Sequence, residues 1–293
     1  MNQGIIRKLL GDDYQYRRIP IDFEEVEIAK YKSSLQRKFS IATKSWTDNL
    51  HSEWTARMYL ATKMIYSSTL LLNTAFYSRS KNILITEPYL LYYSILNCCR
   101  ALLFAHPNQV WKDGELIKTA HTKIINGTTQ ILTELNKELG SEFKVLLESA
   151  KDFRELHSYK FPGDGFRNEA PFKDITMGNI EEKCELLCEI AQLTSECFEK
   201  SFDKNCTGGN YNLKRDILQN CFRYEGHQYQ LTDVEDNQRI SYILRRVQRP
   251  HNIYHTMTEG MTEDFFGNWT ADESCEDDSF DPDRREIIIF NMP

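Results

Sequence analysis

The sequence predicts a mainly α-helical bundle followed by a small mixed α/β C-terminal appendage. Residues 86–106 form a long apolar run that opens on a Thr-Glu-Pro triplet and then contains no further proline and no glycine. A helix that is apolar nearly all round is expected at the centre of a bundle. Apolar residues also recur at helical spacing through 54–76, 142–159 and 180–202, whereas β-branched and alternating patterns follow only after residue 206.

Composition divides the chain into three parts. Residues 1–50 mix charges with isolated aromatic residues, and we expect an N-terminal arm and an irregular helix there. Residues 51–205 contain the amphipathic helices of the bundle. A Gly-Gly pair marks the boundary to the appendage, residues 206–293, which carries the acidic run 272–278. Because such a run cannot form a core, we predict that the bundle tolerates deletion of the appendage.

Capping and breaking residues predict the helix boundaries. Thr86 is expected to supply an N-cap oxygen to the central helix, since threonine is a preferred capping residue. Gly140 is expected to end a helix over 128–139, and Ser141 is expected to cap the next helix, 142–159. The helix over 54–76 and the central helix are expected to form an antiparallel hairpin.

The appendage is expected to contain short strands. Alternation at 228–231 and a β-branched run at 286–290 predict strands, whereas 240–245 fits either a strand or a helix. Arg246 and its basic neighbours face either phosphate or, within the same chain, the acidic run 272–278. Both interpretations remain open from the sequence.

Composition also bears on compartment and partners. The formal net charge of −7 argues against a protein that binds nucleic acid over its whole surface, but it permits a local basic cleft. Eight cysteines without a Cys-x-x-Cys pair are expected to be reduced thiols of a cytoplasmic protein. We find no signal-peptide pattern, and Asn97 and Arg100 within the most apolar segment argue against a membrane span. Without a Walker loop, a dinucleotide fingerprint or a zinc-ribbon pattern, we expect no cofactor and no metal.

Polar residues form a narrow stripe on the central helix, and Asn97 and Arg100 belong to it. Because buried arginine needs a partner, we expect Arg100 to bond backbone carbonyls or a carboxylate such as Glu148 or Asp152. In a purely structural interpretation, Asn97, Arg100 and His121 form a buried network that fixes the helix register. In a functional interpretation, the same three residues bind a ligand.

The segment Glu-Pro-Tyr-Leu-Leu-Tyr-Tyr-Ser-Ile-Leu-Asn-Cys-Cys-Arg-Ala-Leu-Leu-Phe, followed after a loop by His-Thr-Lys at 121–123, resembles the YaaC-like branch of the HEPN superfamily (higher eukaryote and prokaryote nucleotide-binding domains). The resemblance covers roughly residues 50–200 and rests on the Tyr-Tyr pair, the Asn, the Arg-Ala-Leu-Leu run and the following His. It implies a HEPN-like helical bundle, a homodimer, and RNA or a nucleotide as the partner.

HEPN ribonucleases share an Arg followed after four to six residues by His, extended in some members to His-x-Tyr, and two such motifs meet across a dimer cleft to cleave RNA without metal. A histidine near neutral pKa can move the protons, and an arginine can hold the phosphate. Here His157 and Tyr159 match the His-x-Tyr ending. Arg154 and Lys151 precede them, although neither stands at the family's usual position.

Two other pairs have the Arg-to-His spacing. Arg100 and His106 lie in the central helix, and Arg246 and His251 lie in the appendage. His251 and His255 also have the spacing of two metal ligands on a helix turn, but no third ligand is signalled, so a metal is not expected.

Two functions follow from this resemblance. In the first, the protein acts on or binds RNA or nucleotides and is a metal-independent endoribonuclease effector of a defence or toxin system. Its catalytic residues would then be Arg154, His157, Tyr159 and Lys151, and its binding residues Asn97, Arg100, His121, Arg246 and His251. In the second, the departure from the motif indicates a non-catalytic helical interaction module that binds a protein partner. Fold alone does not decide between them.

Overall fold

The computed structural model describes residues 9–10, 13–109, 119–165, 172–206, 209–225, 230–269 and 279–293. Its helices are α1 (Ile19–Asp22), α2 (Glu25–Thr43), α3 (Asp48–Ser80), α4 (Glu87–Ala105), α5 (His121–Leu135), α6 (Lys137–Tyr159), α7 (Met177–Asn205), α8 (Arg215–Phe222), α9 (Val234–Arg246), α10 (Ile253–Thr256) and α11 (Glu259–Gly267). Strands β1 (Arg223–Glu225) and β2 (Gln230–Thr232) pair antiparallel, with Arg223 opposite Thr232. The predicted mainly α fold with a small α/β C-terminal part is confirmed.

Helix α4 lies at the centre of the bundle. It contacts α3, α5, α6 and α7, and Leu91, Ile95 and Leu102 are fully buried in these contacts. This arrangement follows from the sequence, because a helix that is apolar nearly all round needs neighbours on several sides. The position predicted for the central helix is therefore confirmed.

The start of α4 differs from the prediction. Thr86 has helical backbone angles (φ −83°, ψ −20°), and its side chain makes no capping hydrogen bond. Among the described residues, its hydroxyl has no hydrogen-bond partner. The predicted N-cap is wrong because this function needs an extended backbone. Instead, Glu87 in the first turn pairs with Arg79 at 2.7 Å.

Asn136 separates α5 from α6. Its backbone is extended (φ −148°, ψ 128°), and its side-chain oxygen accepts a hydrogen bond from the amide of Leu139 at 2.9 Å. The helix end predicted at Gly140 and the cap predicted at Ser141 are therefore wrong. Gly140 lies in the first turn of α6, where a Cβ would come within 2.9 Å of the Thr133 backbone. Glycine is required there because α5 and α6 approach closely.

The N-terminal arm lies against α7 through one buried carboxylate. Glu189 is 1 % exposed and accepts hydrogen bonds from the backbone amides of Arg17, Arg18 and Ile19. Burial raises the pKa of Glu189, and the three amide donors oppose that shift. A single side chain on α7 thus fixes the path of the arm into α1.

The C-terminal segment is bonded to α3. Asn73 accepts hydrogen bonds from the amides of Glu286 (2.7 Å) and Ile287 (3.0 Å), and it donates to the carbonyl of Ile287 (2.9 Å). The strand predicted at 286–290 is wrong, because the backbone bonds this side chain and no neighbouring strand pairs with it among the described residues. A side-chain amide can replace a strand partner since it offers both a donor and an acceptor.

The chain end also joins the core. Ile289 and Phe290 are fully buried, and the ring of Phe290 lies 4.6 Å from that of Tyr14 in the arm. The amide of Asn291 donates to the Tyr14 hydroxyl at 3.1 Å. Deletion of the appendage would expose this apolar surface, so we expect deletion to destabilise the bundle. The sequence had instead predicted that the bundle tolerates this deletion.

Helix α9 of the appendage packs against α3. The ambiguous segment 240–245 is helical, and Asp236 on the same helix bonds Tyr59 (2.9 Å) and Lys63 (2.7 Å) of α3. The strand predicted at 228–231 is formed in part, as β2, while residues 226–229 and the acidic run 272–278 lie outside the described residues.

Two further observations concern cysteines and membranes. The seven cysteines in the described part of the chain are free thiols, and six of them are buried. None of the described helices combines the length and the hydropathy of a membrane span. Apolar side chains such as those of α4 are instead covered by neighbouring helices.

Candidate functional site

A tyrosine and a histidine meet where α4 passes the start of α5. The hydroxyl of Tyr92, which is fully buried, lies 2.8 Å from Nδ1 of His121. His121 is the first residue of α5, and within the described part of the chain no side chain caps that helix terminus. An uncapped helix N-terminus presents free backbone N–H groups and the positive end of the helix dipole. The pair therefore lies at a position that favours negative charge.

Three permanent cations lie near this pair. The guanidinium of Arg154 lies 5.2 Å from the centre of the Tyr92 ring, and Lys151 lies one helical turn before it on α6. Arg100 approaches from α4, and its charge acts on both Tyr92 and His121. We call Arg100, His121, Lys151 and Arg154 the cationic cluster. Helices α4, α5 and α6 each contribute to it.

One carboxylate accompanies the cationic cluster. Glu155 lies 3.2 Å from Arg154 and 3.6 Å from Lys151. Its side chain is 35 % exposed, so water screens both ion pairs. With three permanent cations and one carboxylate, the described part of the site keeps a net positive charge.

Arg100 is half-buried and lacks a carboxylate partner in the described part of the chain. Its Nη1 donates to Oδ1 of Asn97 at 2.8 Å, and Nδ2 of Asn97 donates to Ser67 at 3.0 Å. The ion pair predicted with Glu148 or Asp152 is therefore wrong. Within the described residues, Nε of Arg100 is buried without a hydrogen-bond partner. Because that nitrogen is out of reach of solvent, an added anion would approach the guanidinium through its other nitrogen atoms.

The proton states of the Tyr92 and His121 pair follow from burial and charge. Burial lowers the pKa of His121, and the positive charges of the other cluster members lower it further. Burial raises the pKa of Tyr92 to about 12, against the opposing charge of Arg154. The phenol is therefore protonated at neutral pH and can donate to the neutral imidazole. In the other tautomer, Nδ1 of His121 donates to the Tyr92 oxygen, and Nε2 is the acceptor.

The two other predicted catalytic residues lie elsewhere on α6. His157 is 6 % exposed, and its Nδ1 lies 2.9 Å from the carbonyl of Phe153. Tyr159 is 76 % exposed at the end of the helix. One side chain thus belongs to the core and the other to the surface. Only Arg154 and Lys151 of the predicted catalytic set join the cationic cluster.

Arg100 and His106, which have the Arg-to-His spacing, differ in their burial. His106 is fully buried beyond the end of α4, and its Nδ1 accepts a hydrogen bond from the amide of Asn108 at 3.4 Å. Burial lowers the pKa of His106 to about 3. A histidine that stays neutral in the core has a structural function, so this pair does not form a site.

A second group of polar residues lies in the C-terminal part. Arg246 and His251 line one cavity of about 120 Å³, together with Arg239 and His255. Glu199 of α7 reaches the same place, with Oε1 lying 3.4 Å from Nδ1 of His255. We call Glu199, His251 and His255 the Glu199 cluster.

Sequence reasoning missed three residues of these sites. Tyr92 belongs to the Tyr-Tyr pair of the family resemblance, which could have marked it. Glu155 follows Arg154 directly, and a carboxylate beside a candidate cation is a usable signal. Glu199 stands far from His251 in the chain, and no local pattern connects them.

Comparison of the chain with protein-family models, with curated proteins and with solved structures gives no match. The chemistry of the two sites therefore indicates the function. The cationic cluster is the stronger candidate because three permanent cations and the positive end of a helix dipole coincide there.

Proposed function

We propose that this protein binds RNA or a nucleotide at the cationic cluster, as a HEPN-like protein. The observation that carries the proposal is the convergence of Arg100, His121, Lys151 and Arg154 from three helices, with Glu155 as the accompanying carboxylate. Such a concentration of cations is costly unless a negative ligand balances it. In a chain with a net charge of −7, the positive region is local.

The chemistry of the cluster fits a phosphate ester. The two arginines offer forked donors that match phosphate oxygens, and Lys151 adds a point charge. The free N–H groups at the start of α5 suit an anion. Tyr93 is half-buried, with its ring 5.2 Å from Tyr92 and 6.0 Å from His121, and an aromatic ring beside a phosphate site can stack a base.

Cleavage of RNA is the second function to test, and the hydrogen bond between Tyr92 and His121 favours it. With the ring proton on Nδ1 and donated to the Tyr92 oxygen, Nε2 of the neutral imidazole can accept the proton of a 2′-hydroxyl, and Arg154 can stabilise the crowded phosphorane. In this form of the proposal His121 serves as the base, and His157 stays a sequence-based prediction. An effector function in a defence or toxin system rests on the HEPN resemblance alone.

The competing proposal is a non-catalytic module that binds a protein partner, or a second copy of the chain. A homodimer would bring two cationic clusters to one cleft, as the resemblance implies. Sedimentation equilibrium of the full chain measures this directly. A full chain that dimerises but does not bind RNA would favour the protein-partner function.

Binding of a fluorescent single-stranded RNA oligonucleotide tests the proposal. We expect the double variant Arg100→Gln/Arg154→Gln to lose roughly 100-fold in affinity, since each charged hydrogen bond contributes about 1.5–3 kcal/mol. The control Arg37→Gln/Arg215→Gln removes the same charge from exposed positions outside the site. Equal losses in both double variants would mean that RNA responds only to net charge, and the proposal would fail.

Incubation of the same RNA with wild type and His121→Asn tests cleavage. Cleavage that persists in chelator and is lost in His121→Asn would support the nuclease form. Binding without any cleavage between about pH 6 and 8, where a histidine near its reference pKa changes charge, would leave binding as the function.

A further inference from the structure

The Glu199 cluster combines two imidazoles with one carboxylate. The nearest candidate ligand atoms of its three residues all lie within 4.8 Å of one another. They come from α7 and from the segment around α10, and none belongs to the cationic cluster. This combination of side chains is a common ligand set for divalent transition metals.

The spacing fits a single ion. Zinc binds nitrogen and oxygen at about 2.0–2.2 Å, so two ligand atoms of a tetrahedral ion lie roughly 3.4 Å apart. Nδ1 of His255 and Oε1 of Glu199 are 3.4 Å apart. The side chain of His255 is 39 % exposed, so rotation of this ring can close the wider separations.

Asn252 holds the cluster in place. It is 1 % exposed, its Nδ2 donates to Oε2 of Glu199 at 2.7 Å, and its Oδ1 accepts from the amide of His255 at 2.9 Å. The indole of Trp54 donates to the carbonyl of His251 at 2.9 Å. Bonds of this kind orient metal ligands from outside the coordination shell. They leave Oε1 of Glu199 available for an ion.

The alternative is a plain ion pair. The hydrogen bond with Glu199 raises the pKa of His255, and this contact together with that of Asn252 lowers the pKa of Glu199 in spite of burial. Burial lowers the pKa of His251. A bound cation would replace the proton of His255, so the ion pair and the metal site exclude each other.

We propose that Glu199, His251 and His255 bind one divalent first-row transition-metal ion, for which zinc is the test ion. No metal was expected from the sequence because no third ligand lies near the two histidines in the chain. In the fold, Glu199 of α7 is that third ligand. His251 and His255 border the cavity that Arg239 and Arg246 also line. Three protein ligands leave an open position, and the two arginines suit an anionic fourth ligand such as phosphate.

Calorimetric titration of the full chain with zinc chloride, after dialysis against chelator, tests this site. We expect one ion per chain, and a loss of roughly 100-fold or more in zinc affinity for each of Glu199→Gln, His251→Gln and His255→Gln, since each removes one ligand. The controls are Glu263→Gln, at an exposed carboxylate, and His121→Gln, in the cationic cluster. Both controls are expected to bind zinc as wild type does.

Two results would overturn the proposal. One is the absence of saturable binding to correctly folded wild type, and the other is unchanged affinity in all three ligand variants. Circular dichroism of each variant checks folding. Zinc affinity is also expected to fall as the pH decreases, because protons compete for both imidazoles. Because His121→Gln removes a cationic-cluster residue and spares the metal ligands, RNA binding and zinc binding can fail separately.

Discussion

The hydroxyl of Tyr92 lies 2.8 Å from Nδ1 of His121, and this hydrogen bond connects the buried centre of the bundle with the partly exposed cationic cluster. Tyr92 is fixed by the core packing of α4, so its hydroxyl orients the imidazole at the start of α5. The guanidinium of Arg154 over the same ring adds a second connection, from α6. The position of the cluster thus depends on the packing of three helices.

Removing this hydroxyl should weaken the protein measurably. Tyr92→Phe is expected to lower the free energy of unfolding by about 1 kcal/mol, the net contribution of one hydrogen bond. Urea denaturation measures it, with Tyr159→Phe, at an exposed ring, as the control. A Tyr92→Phe midpoint equal to wild type would show that the bond is not formed in solution.

Glu155 and Arg154 should have opposite effects on RNA affinity. Arg154→Gln is expected to weaken RNA binding, whereas Glu155→Gln is expected to strengthen it, because the carboxylate competes with phosphate for the same cations. The slope of log affinity against log salt should decrease by about one unit for Arg154→Gln. Fluorescence anisotropy at several salt concentrations gives both quantities. An unchanged affinity in Glu155→Gln would argue against a phosphate at this position.

Acid should destabilise the fold through two buried histidines. Burial lowers the pKa of His51 to about 4 and that of His106 to about 3, while an unfolded histidine titrates near pH 6.5. Below pH 6.5 the unfolded chain therefore binds more protons, and stability is lost as the pH falls towards 4. For His106 alone, the free energy of unfolding is expected to be roughly 3 kcal/mol lower at pH 4 than at pH 7.

Thermal unfolding between pH 7 and 4 measures this effect. His106→Gln should flatten the dependence of melting temperature on pH, whatever it does to stability at pH 7. If its slope equals that of wild type, the titration of His106 does not contribute to acid unfolding.

Asn73 should be essential for docking of the C-terminal segment. Asn73→Ala leaves the amides of Glu286 and Ile287 without their acceptor, and we expect a loss of roughly 2–4 kcal/mol in unfolding free energy. Asn237→Ala, at an exposed position of α9, is the control and should change little. Similar urea midpoints for the two variants would show that the segment is not docked in solution.

The helices could be predicted because their apolar periodicity is local in sequence. The exceptions arose where tertiary contacts decided the local structure. Gly140 is typical of a helix end, yet it lies inside α6, which begins after Asn136. Glycine is needed there because Thr133 of α5 approaches it closely. Residues 286–290 have the composition of a strand, but they bond Asn73, more than two hundred positions away in the chain.

The site was predicted in part for the same reason. Arg100 and His121 were identified from their polarity in an apolar context, and both belong to the cationic cluster. Glu199 could not be found, since only the packing of α7 brings it to His251 and His255. Local patterns indicate candidate residues, but their grouping follows from the fold.

Cross-linking with 4-thiouridine-labelled RNA, followed by mass spectrometry of the peptides, shows where on the chain RNA binds. If RNA binds at the cationic cluster, cross-links should concentrate on the peptides that contain Tyr93, His121 and Lys151, and Arg100→Gln/Arg154→Gln should abolish them. Cross-links confined to the peptides around Arg246 and His251, unchanged in that double variant, would place RNA at the C-terminal cavity and rule out the cationic cluster as the RNA site.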